Sequence, residues 1–208
     1  MFLQNPDPLR PPLKLMGPRF VGLAAAFYAA LLVAAAVLGT LTSRNVFALG
    51  DRPVFDLSVG VAIACGTVIS GLVLYWLSPV LRKISGELAP HLVDGARKRD
   101  LVLVSVFSGI GEEVFFRGAL QPLIGLVATS LLFGAVHIGP DRRYLVWTLW
   151  AAGAGFLFGA LYLWTGGILA PVTAHVLHNA ATFLLWRRSR RKGFTETTKN
   201  DVVVGGEG

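Results

Sequence analysis

Residues 101–120 read LVLVSVFSGIGEEVFFRGAL. The run is about the ~20 residues a helix needs to cross a ~30 Å hydrocarbon core, yet it carries Glu112 and Glu113 side by side near its middle. A charge there costs about 2.5–3.5 kcal/mol on insertion scales, so it is expected to face a bundle interior and to serve a function. Helix geometry separates the two carboxylates. Glu113 and Arg117 are four apart with the acid nearer the N-terminus, the favourable order for an ion pair on one face. Glu112 points about 100° away and is the freer carboxylate, able to bind water. The alternative is a polar channel lined by both acids.

Working outward, the chain of 208 residues is 54% hydrophobic and only 15% charged, with its charges gathered in a few clusters. This is a membrane composition. Six apolar runs predict an all-α, polytopic membrane protein with about six transmembrane helices: Phe20 to Thr42, Leu57 to Leu77, Leu101 to Leu120, Leu123 to Ile138, Tyr144 to Trp164 and Ile168 to Trp186. The first run exceeds the h-region of a cleaved signal peptide, so it is expected to remain as an anchor.

Basic residues favour the cytoplasmic side of a membrane. Alternate connections hold Arg10, Lys14 and Arg19, then Arg82, Lys83, Arg97, Lys98 and Arg99, then Arg142 and Arg143, then RRSRRK with Lys199. The intervening set holds only Arg44, Arg52 and Arg117. This asymmetry places both termini in the cytoplasm. The net charge of +7 thus reads as topology and not as nucleic-acid binding, because no basic face is interleaved with aromatics.

Four stretches follow: a cytoplasmic segment over 1–19, two additional membrane helices with a basic connection over 20–99, a catalytic helical core over 100–187, and a basic then mobile tail over 188–208. The connection after the second run has partly helical apolar spacing and is suited to lie along the interface. Ala151, Gly155 and Gly159, at four-residue intervals, suit close helix packing. Cys65, the single cysteine, excludes an intramolecular disulfide and reads as a small buried hydrophobe.

The remaining polar groups within spans are His137, one turn after Phe133, and His175, His178 and Asn179 in the last run. His175 and Asn179 share a helical face, with His178 close to it as an additional polar candidate. Polar side chains on a membrane helix need partners, and the carboxylates of the third run are the obvious ones. Glu112 and His175 lie at similar depth, roughly 16–18 Å from the basic flanks by helical rise. His137 falls near the end of its own short run, so either that helix sits deeper or a water-filled cavity opens inward.

The ordered set EExxxR (Glu112, Glu113, Arg117), FxxxH (Phe133, His137) and HxxxN (His175, Asn179) resembles the CPBP family, the CAAX prenyl endopeptidase and bacteriocin-processing (Abi) membrane proteases, from about Asp100 to Arg187. The resemblance implies an intramembrane endopeptidase with its site inside the helix bundle. In it Glu112 activates water, assisted by His137, His175 and Asn179, with Glu113, Arg117 and Phe133 in support. Peptide hydrolysis explains the assembly, since it needs a base for water and hydrogen-bond donors for the oxyanion.

No cofactor is favoured. The alternative is a divalent metal such as zinc on a His2Glu set of His137, His175 and Glu112. Competing functions are an intramembrane proton or ion carrier on the same residues, and a non-catalytic immunity or binding protein; no internal repeat of the kind common in carriers is present. Expected partners are membrane lipid and a membrane-associated peptide or protein, CAAX-type, bacteriocin leader or other. The expected location is the cytoplasmic membrane of a prokaryote.

Overall fold

The structure, a computed structural model, describes residues 18–139 and 142–204; the side chains of Pro18, His91, Arg143 and residues 191–204 are outside that description, as is most of the expected N-terminal segment. All described secondary structure is helical. The order is α1 (Pro18–Leu41), α2 (Pro53–Leu77), α3 (Pro79–Val93), α4 (Lys98–Glu113), a π-helical segment (Val114–Leu120), α5 (Gln121–Ala135), a short 3-10 turn (Arg142–Tyr144), α6 (Leu145–Thr165) and α7 (Leu169–Val204).

Local chemistry sets several boundaries. Pro53 and Pro79 occupy first-turn positions, where a missing N–H costs nothing, and Ser78 accepts from Leu81 N at 3.3 Å to cap α3. Gly166, at φ 72°, closes α6 in the left-handed region. The tail departs from the expectation: the backbone of α7 continues to Val204 through a stretch that has no apolar periodicity.

Four helices are long and apolar enough to cross a membrane among the described residues, and one of them, Lys98–Ala135, is a 38-residue stretch containing both the third and the fourth expected runs. The chain doubles back within it. Arg117 donates to Gly155 O at 3.1 Å, and the Phe133 side chain packs against the same Gly155; Gln121 donates to Gly159 O at 2.9 Å, and Leu126 packs against Gly159. Residues 117 and 133 are therefore level along α6, as are 121 and 126. The reversal falls at Gly125, whose φ of 83° and ψ of 167° are not helical. Beyond it, the arm to Ala135 rises only about 15 Å, half of the hydrocarbon core. The fourth expected run is thus turned back on the third at Gly125, and its helical part beyond the turn is shorter than a full crossing.

The last helix carries His175, His178 and Asn179 in its apolar half, which lowers its hydropathy, yet it runs beside both α2 and α4. Gly60 meets Thr173, Thr67 meets His178, Gly109 meets Val176, and Arg187 donates to Ala96 O at 3.0 Å. α2 and α7 are parallel, α4 and α7 antiparallel. The start of α4, residues 187–190 of α7 and the end of α3 therefore share one end of the bundle, where Arg190 bonds Asp94 at 2.7 Å.

The outer faces are apolar, with Trp76 78% and Leu23 70% exposed, as lipid contact requires. Cys65 corrects one expectation, because it is exposed on α2. The interior faces are built from small residues such as Ala35, Ala64, Ala170 and Ala174.

A Cβ at Gly125 would have open space around it, so its substitution tests the backbone alone. Gly125→Ala is expected to destabilise the fold by about 1–3 kcal/mol. The check is a lower thermal midpoint in detergent than Gly153→Ala, a helical site that also has open space and no positive φ.

Candidate active site

α4 delivers the two carboxylates into different surroundings. Glu113 is fully buried: its Oε1 lies 2.7 Å from His175 Nδ1 on α7, and its Oε2 lies 3.1 Å from Arg117 Nε, one turn on and inside the π-helical segment. The second contact is close but lacks hydrogen-bond alignment, so Arg117 Nε and Glu113 Oε2 interact as charges. Arg117 itself is buried, donates to Gly155 O and lies 4.5 Å over the Phe133 ring. The expected Glu113–Arg117 pairing is present, with His175 as a third member.

Glu112 points to another side and its side chain is 12% exposed. The Tyr28 hydroxyl, on α1, donates to its Oε1 at 3.0 Å, and its Oε2 faces His137 Nε2 at 4.0 Å. The His137 tautomer follows from geometry. Its Nδ1 is 2.7 Å from Phe133 O, and a carbonyl can only accept, so Nδ1 carries a proton and Nε2 is the nitrogen turned to Glu112. A separation of 4.0 Å exceeds a direct hydrogen bond and suits one water bonded to both groups. The FxxxH spacing thus has a physical meaning: Phe133 supplies the carbonyl that orients His137 and the ring face that covers Arg117.

α7 contributes the remaining expected residues. His175 is buried, its ring 5.4 Å from that of Phe158. Asn179 Nδ2 donates to Ser108 Oγ on α4 at 3.1 Å. The Ser108 hydroxyl donates in turn to Ser105 O at 3.2 Å, while the Tyr28 phenol gives its proton to Glu112. His178 turns elsewhere. Thr67 donates its single proton to Ala64 O at 3.0 Å, so His178 Nδ1 must be the donor in its 3.0 Å contact with Thr67 Oγ1 on α2. The structure therefore brings Glu112 with His137, and Glu113 with Arg117 and His175, while His178 belongs to the α2–α7 seam.

A His2Glu metal set does not fit this arrangement. Among the described residues no three His, Cys, Asp or Glu side chains are grouped closely enough to hold an ion. His175 Nδ1 is committed to Glu113, and His137 faces Glu112, so the three named ligands belong to two separate contacts.

Tyr28, Ser108 and Thr67 are polar neighbours that sequence reasoning did not select. Each is a single hydroxyl in an apolar helix, a weak signal beside a carboxylate. Tyr28 had one available cue: Tyr is the only polar side chain in the middle of α1.

Similarity to known proteins covers the segment that carries this site. Residues 99–181 match the family model described as type II CAAX prenyl endopeptidase Rce1-like. The chain is 29% identical over 138 residues to "Uncharacterized protein YpbD" of Bacillus subtilis (strain 168), covering 66% of this chain and 72% of that protein. It is 29% identical over 199 residues to "Putative membrane peptidase YdiL" of the same organism, covering 86% of this chain and 78% of that protein. No solved structure matches significantly. The matched segment contains Glu112, Glu113, Arg117, Phe133, His137, His175 and Asn179, and over it this integral membrane chain is similar to the Rce1-like CAAX prenyl endopeptidases.

Proposed function

We propose that this chain is an intramembrane endopeptidase that cleaves a peptide bond in a membrane-associated substrate, with Glu112 as general base. The family match and the relative named as a membrane peptidase support the protease class. One observation carries the residue assignment: of two adjacent carboxylates, Glu113 is locked between Arg117 and His175, whereas Glu112 faces His137 across a gap suited to water.

In this reading Glu112 Oε2 takes a proton from a water held with His137 Nε2, and the water oxygen bonds to the scissile carbonyl carbon. Asn179 uses one amide hydrogen on Ser108 and keeps a second for the oxyanion. His175 bonds the Glu113 carboxylate through Nδ1, which fixes its ring on the same face of α7 as Asn179. As the tetrahedral intermediate collapses, the C–N bond breaks and Glu112 returns its proton to the leaving amine. No step needs a metal. A CAAX-type prenylated peptide, a bacteriocin leader or another membrane protein would suit the class. The basic bundle end is assigned to the cytoplasm of a prokaryotic membrane, following the loop charges.

Glu112→Gln is expected to lower cleavage of an internally quenched, farnesylated CAAX-type peptide by at least about 100-fold while leaving the thermal midpoint near wild type. Near-wild-type turnover would refute the base assignment. Glu113→Gln is expected to lose activity and also about 3 kcal/mol of stability, because it strands Arg117 in the interior. An unchanged midpoint in thermal denaturation would refute the ion-pair role.

Chelator-treated enzyme is expected to keep its turnover, and metal analysis of active protein to find no stoichiometric ion; activity lost on chelation and restored by zinc would reverse the mechanism. For orientation, a reporter fused after Lys192 is expected to be cytoplasmic and one inserted at Gly50 external. Both reporters on the same side would overturn the topology.

A further inference from the structure

α1 lies outside residues 99–181, yet it reaches the site. Between Arg19 and Thr40 its side chains are apolar except for Tyr28, whose hydroxyl donates to Glu112 Oε1 at 3.0 Å. The contact is built into α4 as well. Gly111 immediately precedes Glu112, and a Cβ there would stand 2.8 Å from Tyr28 Cδ1 and 3.0 Å from its Cβ. The missing side chain is what lets the tyrosine ring lie against the helix beside the carboxylate.

We propose that Tyr28 is a positioning residue for hydrolysis, holding Glu112 Oε1 so that Oε2 is the oxygen presented to His137 and to water. This inference rests on the assignment of Glu112 as general base. A carboxylate free to rotate about its last bond presents either oxygen at many angles, and a base must meet its proton in a narrow range of geometry. A phenol suits the task better than a cation. It donates a hydrogen bond to the ionised acid without cancelling its charge, and it keeps its own proton as Glu112 accepts and returns one.

α4 carries the anchors of both halves of the reaction. Ser108 receives Asn179 Nδ2 at 3.1 Å, and Tyr28 holds Glu112 further along the same helix, so the group proposed to face the oxyanion and the group proposed to activate water are both tied to α4. A shift of α1 against α4 would loosen the hold on Glu112.

The test compares Tyr28→Phe, Gly111→Ala and Glu112→Gln with wild type in detergent, using the farnesylated internally quenched peptide. Tyr28→Phe removes one oxygen and is expected to lower kcat by about tenfold or more, with KM within about twofold and the thermal midpoint preserved. Gly111→Ala keeps the hydroxyl but pushes the ring away, and is expected to show the same kcat-specific loss. If Tyr28→Phe fails to fold, Gly111→Ala carries the decision.

Infrared difference spectra supply a readout independent of turnover. The carboxylate band assigned to Glu112 by its absence in Glu112→Gln is expected to shift in Tyr28→Phe and in Gly111→Ala. Wild-type kcat and an unmoved band in Tyr28→Phe would overturn the positioning role even with Glu112→Gln inactive. Loss of kcat only in step with a lowered midpoint and an unmoved band would reduce Tyr28 to packing. An active Glu112→Gln would instead overturn the base assignment itself.

Discussion

A fully buried guanidinium cannot be left alone in a low-dielectric interior, and much of this bundle is arranged around that constraint. Arg117 meets Glu113 on its own helix, Gly155 O on α6 and the Phe133 ring on α5, while Glu113 meets His175 on α7. A charge pair of this kind adds little net stability compared with apolar packing, but removing one partner is expensive. Its value is in fixing relationships: four elements must be in register for both charges to be satisfied. The neighbouring Gln121–Gly159 contact repeats the Arg117–Gly155 contact one turn further along both helices.

That register is what makes adjacent glutamates different. With Glu113 committed inward, the roughly 100° step of a helix turns Glu112 toward α1 and the end of α5. There it meets a phenol and an imidazole, neither of which need carry a full charge. One residue stores electrostatic order and the next remains available for chemistry. The backbone contributes too, because the π-helical turn begins immediately after Glu113 and carries Arg117.

The sequence made this division legible through simple spacing. The four-residue interval from Glu113 to Arg117 identified the pair, and the shared face of His175 and Asn179 identified the helix that would meet α4. Other features had no local signal. The reversal at Gly125 depends on a single glycine within a continuous apolar run, where run length alone gives no sign of a turn. His178 was grouped with His175 by helical proximity, but α2 presents Thr67 on that side, a tertiary fact that spacing does not encode. Cys65 was expected inside because cysteine is usually buried, but in a membrane bundle an apolar exterior accepts it equally well. Tyr28 escaped notice because a tyrosine in an apolar helix commonly serves as packing.

The half-length of α5 has a consequence for solvation. His137 is held beside Thr148, whose hydroxyl donates to His137 O at 3.2 Å, so the chain leaves helical structure level with the first turn of α6. By helical rise this level is roughly 20 Å in from the start of α4. Non-helical backbone cannot rest in hydrocarbon at such depth unless it is covered by protein or bathed by water. Ile138 and Arg142 are exposed on this connection. The connection after His137 therefore needs cover by protein or access to water at that level.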